Sequence, residues 1–224
     1  MQRPKSLLRT IKRKLLPGLG PNPGVRRIGE FISFKESGFV AADSPADLLF
    51  RHYYEQRELR RMLGELNASQ SLEIGCGYGR LSPIIAEYSK RHVAVDVNPD
   101  AVAIGRKHYP QVEFHVCSAT ELPFDSDSFD VVITWTVLQH IPPSHIERAT
   151  SHIVRLARPG ATLILLEATR FHDQPEIQAG GHTFDRAPAT YEKLLEPFHL
   201  VESKWIEEIH AVHPYGPGQL MILR

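Results

Sequence analysis

Between residues 71 and 168, short apolar runs alternate with segments whose apolar residues recur every three to four positions. Ser71–Ile74, Val93–Val97, Val112–Cys117, Phe129–Trp135 and Thr162–Ala168 read as strands. Leu81–Tyr88, Ala101–Tyr109 and His145–Ala157 read as helices between them. Phe129–Trp135 is apolar almost throughout after Asp130, the pattern of a strand covered on both faces. Alternation of this kind predicts an α/β fold, a doubly wound and mostly parallel sheet. Thr190–Leu195 adds a helix. Leu200–Glu207 and Leu220–Leu223 read as two closing strands that pair as an antiparallel hairpin at the sheet edge.

Upstream, the pattern is different. Pro45 opens a helix capped by Ser44, because a proline at the first helical position gives up an N–H that has no partner there. Leu48, Leu49, Tyr53, Leu59, Met62, Leu63 and Leu66 follow at helical spacing. Residues 30–42 read as a small hairpin around Ser37-Gly38. Ser6–Leu16 reads as a short basic helix, with Leu7, Leu8, Ile11 and Leu15 within an arc of about 100° and Arg9, Lys12 and Arg13 opposite. The Pro/Gly-rich stretch Pro17–Gly24 stops it. The chain thus divides into a basic segment with its linker (1–24), a helical cap (25–66) and a main domain (67–224).

Charge sharpens this division. The 224 residues balance 26 Lys and Arg against 26 Asp and Glu, but residues 1–29 hold eight basic residues and no acid. A basic front on an acidic body points to an anionic partner, membrane surface or nucleic acid. An interfacial anchor over residues 1–16 is one reading. A solvated tail and an Arg-rich organelle transit peptide are the others. Charges interrupt the apolar residues, so this is no secretory signal, and no run of about 18 apolar residues exists to span a bilayer. Cys76 and Cys117 fall in a loop and a strand. They form no disulfide framework, which fits a reducing, cytoplasmic setting.

The candidate chemistry lies in Leu72-Glu-Ile-Gly-Cys-Gly-Tyr-Gly-Arg80. Glycines between a strand and a helix admit positive φ and let a ligand approach bare backbone. Val93-Ala-Val-Asp96 then ends a strand in an acid 19 residues beyond Gly77, where a carboxylate can accept from both ribose hydroxyls. The dinucleotide fingerprint places its third glycine differently. An acid at position 73 would repel a pyrophosphate but suits a cationic ligand.

These features, with four further segments in the same order, resemble the class I S-adenosylmethionine-dependent methyltransferases. Glu73-x-Gly75-x-Gly77-x-Gly79 is similar to that family's motif I. Ser118-Ala-Thr-Glu-Leu-Pro-Phe124 resembles its D-A-x-x-L-P-F segment. Phe129-Asp-Val-Val-Ile133, Val137-Leu-Gln-His-Ile141 and Leu156-Ala-Arg-Pro-Gly160 resemble the fourth strand, the loop after it and the turn before the fifth. The resemblance implies a seven-stranded sheet with an antiparallel last strand, and S-adenosyl-L-methionine as cofactor. It implies that Gly75, Gly77 and Gly79 form the cofactor loop and that Glu73 orients the amino group. Asp96 would hold the ribose, Val97 and Asn98 would flank the adenine, and Ser118 and Ala119 would lie beside it. Ser118 replaces the family's usual acid.

Methyl transfer to oxygen or nitrogen can need a base. His140 is the first candidate because strand four ends there, and His182 the second, in the connection that lines the acceptor pocket in this family. Arg186 is expected to touch substrate. No tight His/Cys spacing indicates a metal. The expected acceptor is a small molecule or a lipid-linked compound, met in the cytoplasm or at the inner membrane surface. A base-methylating role on nucleic acid is disfavoured because no Asn-Pro-Pro-Tyr-type loop follows strand four. A nicotinamide-dependent oxidoreductase and a non-catalytic adenosyl-binding subunit remain the alternatives.

Overall fold

A computed structural model describes residues 45–64, 66–169, 177–179, 183–205 and 218–224. The predicted basic helix, the 30–42 hairpin, the Ser44 cap and His182 lie outside the described residues. The elements in chain order are α1 (Pro45–Leu63), β1 (Ala68–Ile74), α2 (Ser82–Ala86), β2 (Ser89–Asp96), α3 (Pro99–His108), β3 (Glu113–Val116), β4 (Phe129–Trp135), a 3-10 turn (Leu138–His140), α4 (Pro143–Leu156), β5 (Ala157–Ala168), β6 (Ile177–Ala179), β7 (Thr183–Asp185), α5 (Pro188–Leu194), β8 (Leu200–Trp205) and β9 (Gly218–Leu223). The four helices α1, α3, α4 and α5 each begin on a proline, where its fixed φ suits the helix and its missing N–H costs nothing.

Seven strands form one sheet in the order β3-β2-β1-β4-β5-β9-β8. β1 pairs in parallel with β2 and β4, and β4 with β5. β9 runs antiparallel to both β5 and β8. This is the expected seven-stranded sheet, and the closing hairpin is present. Its last strand, however, is the inner one, and β8 forms the edge. A separate two-stranded ribbon, β6 with β7, was not foreseen.

The strands' period of two sorts their side chains into two cores. Val132, Leu163, Leu165, Met221 and Leu223 pack with Ile146, Ile153 and Leu156 of α4 and Tyr191 of α5. Val131, Ile133, Ile164, Leu166, Leu220 and Ile222 pack with Tyr54, Leu59, Met62 and Leu63 of α1 and with Ile84 and Ile85 of α2. Tyr53 departs from the predicted stripe. It is 69% exposed while its neighbour Tyr54 is buried. The buried face of α1 also carries acids. Glu58 is paired with Arg57, Arg61 and, across to β8, Lys204, and these cations hold its pKa down against the desolvation that would raise it. No helix among the described residues is long and apolar enough to cross a membrane.

Candidate active site

β1 is the switch point of the sheet. The chain moves from β1 to β2 and β3 on one side, then returns to place β4 on the other. The loops leaving these strand ends diverge and leave a crevice, the usual ligand position in a doubly wound sheet. Here it is a cavity of about 700 Å³, within the ~300–1,000 Å³ of small-ligand sites. Its walls are Gly75 and Gly77 after β1, Asp96, Val97 and Asn98 after β2, Ser118 and Ala119 after β3, and Trp135, Thr136, Val137 and His140 after β4. A groove of about 930 Å³ lies elsewhere, built from α4, α5 and the turn after α5, and holds none of these loops.

The three glycines of the loop answer to different constraints. All have positive φ, between 55° and 83°. A Cβ on Gly75 would stand 2.3 Å from Val137, so this glycine lets the β4 loop close in. A Cβ on Gly79 would strike the Phe114 ring at 2.5 Å. Gly79, expected in the cofactor loop, is not among the residues of the cavity wall, and the space beside it is taken by Phe114 of β3. Only at Gly77 is there open space, with nothing within 4 Å of an added Cβ.

Asp96 ties this loop to β2. One carboxylate oxygen accepts from the Gly77 N–H at 2.7 Å, the other from the Asn98 N–H at 2.9 Å. Asn98 lines the cavity and also caps α3, its side chain accepting from the N–H groups of Asp100 and Ala101. Ser118 and Thr120 share a hydroxyl hydrogen bond of 2.8 Å at the rim. Glu73 is not on the wall. Its buried carboxylate accepts from Ser82 Oγ, and His92 Nε2 lies 3.4 Å away. It braces the loop from behind. Arg80 is also turned away, paired with Glu55 and within 3.1 Å of His52, both on α1. Burial, then the Arg80 charge, lowers His52 to about 4.

The segment after β4 forms the opposite wall. Thr136 has φ 58°, a strained conformation for a β-branched residue. Its N–H donates to Leu166 O at 2.6 Å. Beyond it, a buried carboxylate that the sequence reading missed organises the loop. Glu167 accepts from Thr134 Oγ1 and from the N–H groups of Val137 and Gln139 at 2.9–3.0 Å. Burial pushes this carboxyl up to about 7 in spite of those donors. Gln139 closes the circuit by accepting from the Ala168 N–H. Arg186 belongs to this framework, which corrects the expectation that it touches substrate. It is buried, and its guanidinium donates to the carbonyls of Leu138 at 2.8 Å and Ile141 at 2.6 Å. His140 sits on the cavity wall as expected. His145, read in the sequence only as the start of a helix, stands there too.

Comparison with known proteins follows this geometry. A family model described as a methyltransferase domain matches residues 72–160. A protein of Mycobacterium tuberculosis named as a probable S-adenosylmethionine-dependent methyltransferase is 35% identical over 98 residues, 42% of this chain and 36% of that one. Residues 72–160 thus match a methyltransferase domain, and over that part the chain is similar to S-adenosylmethionine-dependent methyltransferases. The ubiquinone biosynthesis O-methyltransferase of Xanthomonas oryzae is 34% identical over 112 residues, 47% of this chain and 46% of that one. The chain therefore spans less than half the length of either relative. The crystal structure of the N-methyltransferase NodS of Bradyrhizobium japonicum, in complex with S-adenosyl-L-homocysteine, shares the fold. Its TM-score is 0.61 at 20% identity, covering 78% of this chain and 87% of NodS.

Proposed function

We propose that the protein transfers the methyl group of S-adenosylmethionine to an oxygen or nitrogen of a small-molecule or lipid-linked acceptor. The observation that carries this reading is the pairing of open space at Gly77 with the Asp96 carboxylate, on one wall of a cavity at the switch point. The residues present fit an adenosyl ligand. Each Asp96 oxygen accepts one backbone N–H and keeps a lone pair for a ribose hydroxyl. Val97, Asn98, Ser118 and Ala119 lie on the same side and would border the base.

When bound, the cofactor supplies a methyl carbon already activated by its sulfonium charge. What remains for the chain is to align an acceptor and exclude water, and alignment alone is worth about 7–11 kcal/mol in well-oriented systems. The Thr136–His145 wall faces that task. His140 and His145 line that wall, and either would serve as the base that takes a proton from an acceptor oxygen or nitrogen. His182 stays a second candidate from sequence. A lipid-linked acceptor is favoured by the basic segment 1–16 and by the relative named for ubiquinone biosynthesis.

The test is methyl-label transfer from labelled S-adenosylmethionine into cell extract, separated into lipid, small-molecule, protein and RNA fractions. Label in lipid or small molecules supports the proposal. Label in protein or RNA overturns the acceptor class. S-Adenosylhomocysteine binding without any transfer favours an adenosyl-binding subunit instead.

A further inference from the structure

Two histidines of the cavity wall, His140 and His145, have backing of different kinds. Behind His140 stands the buried Gln139. The side-chain oxygen of Gln139 accepts from the Ala168 N–H at 2.7 Å, and only the oxygen of an amide can accept. This orients the amide, so its NH2 is the end that lies 3.3 Å from His140 Nε2. An NH2 group can only donate, so Nε2 accepts there with its lone pair. The partner of one ring nitrogen decides where the proton of a neutral imidazole stays, and here it stays on Nδ1.

The ring nitrogen of His140 that could take a proton is thus already engaged by a donor. A hydrogen on Nε2 would meet the hydrogens of the amide. Turning the amide over is no remedy, because its NH2 would then face the Ala168 N–H, donor against donor at a buried site. The Gln139 main chain is held as well, through its N–H to Glu167. His145 is backed otherwise. Its Nδ1 lies 2.8 Å from the Ser144 hydroxyl, in the exposed first turn of α4. A hydroxyl donates or accepts as it rotates, so it follows the ring through either protonation state.

We propose that Gln139 is a positioning residue that fixes the His140 tautomer, with the proton on Nδ1 and Nε2 engaged, and that His145 is the base of the site. This choice between the two histidines rests on the methyl-transfer reading above. In the step, an acceptor O–H or N–H gives its proton to the His145 ring. The acceptor's electron pair forms the bond to the methyl carbon, and the electrons of the broken carbon–sulfur bond stay on sulfur.

Nitrogen NMR of the full chain, labelled at histidine, reads the tautomer directly. The chain has 12 histidines, and His140→Gln assigns one set of ring signals by removing it. At about pH 8, where a free imidazole is uncharged, the His140 nitrogen beside Hδ2 should be the unprotonated one. A proton on that nitrogen would overturn the tautomer, and this measurement needs no variant at Gln139. Gln139→Glu replaces the donor by an acceptor and should move the proton to Nε2. An unchanged His140 signal in that variant, once folded, would also overturn the positioning role. The base is read from methyl-label transfer. His145→Gln should slow transfer about a hundredfold or more, the scale of a lost proton acceptor, and keep S-adenosylhomocysteine affinity. His140→Gln should cost less. Equal losses at the two positions, or a larger loss at His140, would overturn the choice of base. A wild-type chain that transfers no label overturns the methyl-transfer reading and the base with it, while the His140 tautomer still stands or falls by NMR.

Discussion

Glu167 and Arg186 grip one loop through opposite backbone groups. The carboxylate takes the N–H groups of Val137 and Gln139, and the guanidinium takes the carbonyls of Leu138 and Ile141. Both side chains are buried. The loop between them carries His140 to the cavity, so its shape is set from beneath, before any ligand arrives.

Replacing Arg186 with Met should take the guanidinium donor from the Ile141 carbonyl and leave the Leu138 carbonyl with the Ile141 N–H alone. Loss of about 3 kcal/mol is expected, as when one member of a buried polar network is removed. Arg186→Lys should rescue little, since one ammonium cannot reproduce a fork that meets two carbonyls. Urea unfolding gives the stability, and amide exchange at residues 137–141 reports the loop. Exchange no faster than in wild type would count against the grip.

The pH dependence follows from Glu167, whose carboxyl rises on folding from 4.5 to about 7. The folded state then holds a proton that the unfolded chain releases between those values. Stability from this group is greatest below about pH 4.5, falls as pH rises, and levels off above about 7, a total of roughly 3 kcal/mol. Glu167→Gln should remove that slope, so the variant gains on wild type as pH rises from 5 to 8. Tyr191 faces the same cluster, and burial, then the Glu167 charge, pushes its hydroxyl further up, away from this range. Parallel stability curves for the two proteins would refute the titration.

Gly77→Ala and Gly79→Ala should separate binding from folding. At Gly79 the new methyl meets the Phe114 ring at 2.5 Å, and overpacking together with positive φ should cost several kcal/mol. At Gly77 the methyl has room, so the stability cost should stay near ~1 kcal/mol. Affinity for S-adenosylhomocysteine should nonetheless drop, because the methyl enters ligand space. Melting temperature and calorimetry on both variants decide this.

Asp96→Ala removes the acceptor for Gly77 and Asn98 as well as the proposed ribose contacts. S-Adenosylhomocysteine affinity should fall by about 1.5–3 kcal/mol, the range for hydrogen bonds to a charged group. Unchanged affinity would remove Asp96 from the ligand site.

The sheet was legible because its strands are apolar runs between glycine, proline and polar breaks. Gly75, Gly77 and Asp96 stood out because a ligand loop and the acid beside it need fixed spacing along the chain, and the structure brings the three to one cavity wall. Glu167 and Arg186 were not. Glu167 stands at the polar end of an apolar strand, where an acid usually meets water, and Arg186 follows a short polar segment. Arg186 has its Leu138 partner 48 residues away, a distance no periodicity records. Arg186 was read as a substrate contact because it lies in the connection that lines the acceptor pocket in the resembled family, and chain position alone does not show its carbonyl partners. The β6–β7 ribbon has strands of three residues each, too short to show a period. Tyr53 and Tyr54 differ by one step of 100°, and only packing chose between them.

β9 follows β8 in the chain yet lies inside it in the sheet. The bonding edge of β5 therefore stays open until Gly218–Leu223 has been made, and β8 has no strand to join before then. Leu163 waits for Leu223, 60 residues later. A product cut short anywhere before Gly218 keeps an unpaired, apolar strand that can recruit another such chain. Interrupted synthesis or clipping within that interval should thus yield insoluble material rather than a smaller working enzyme.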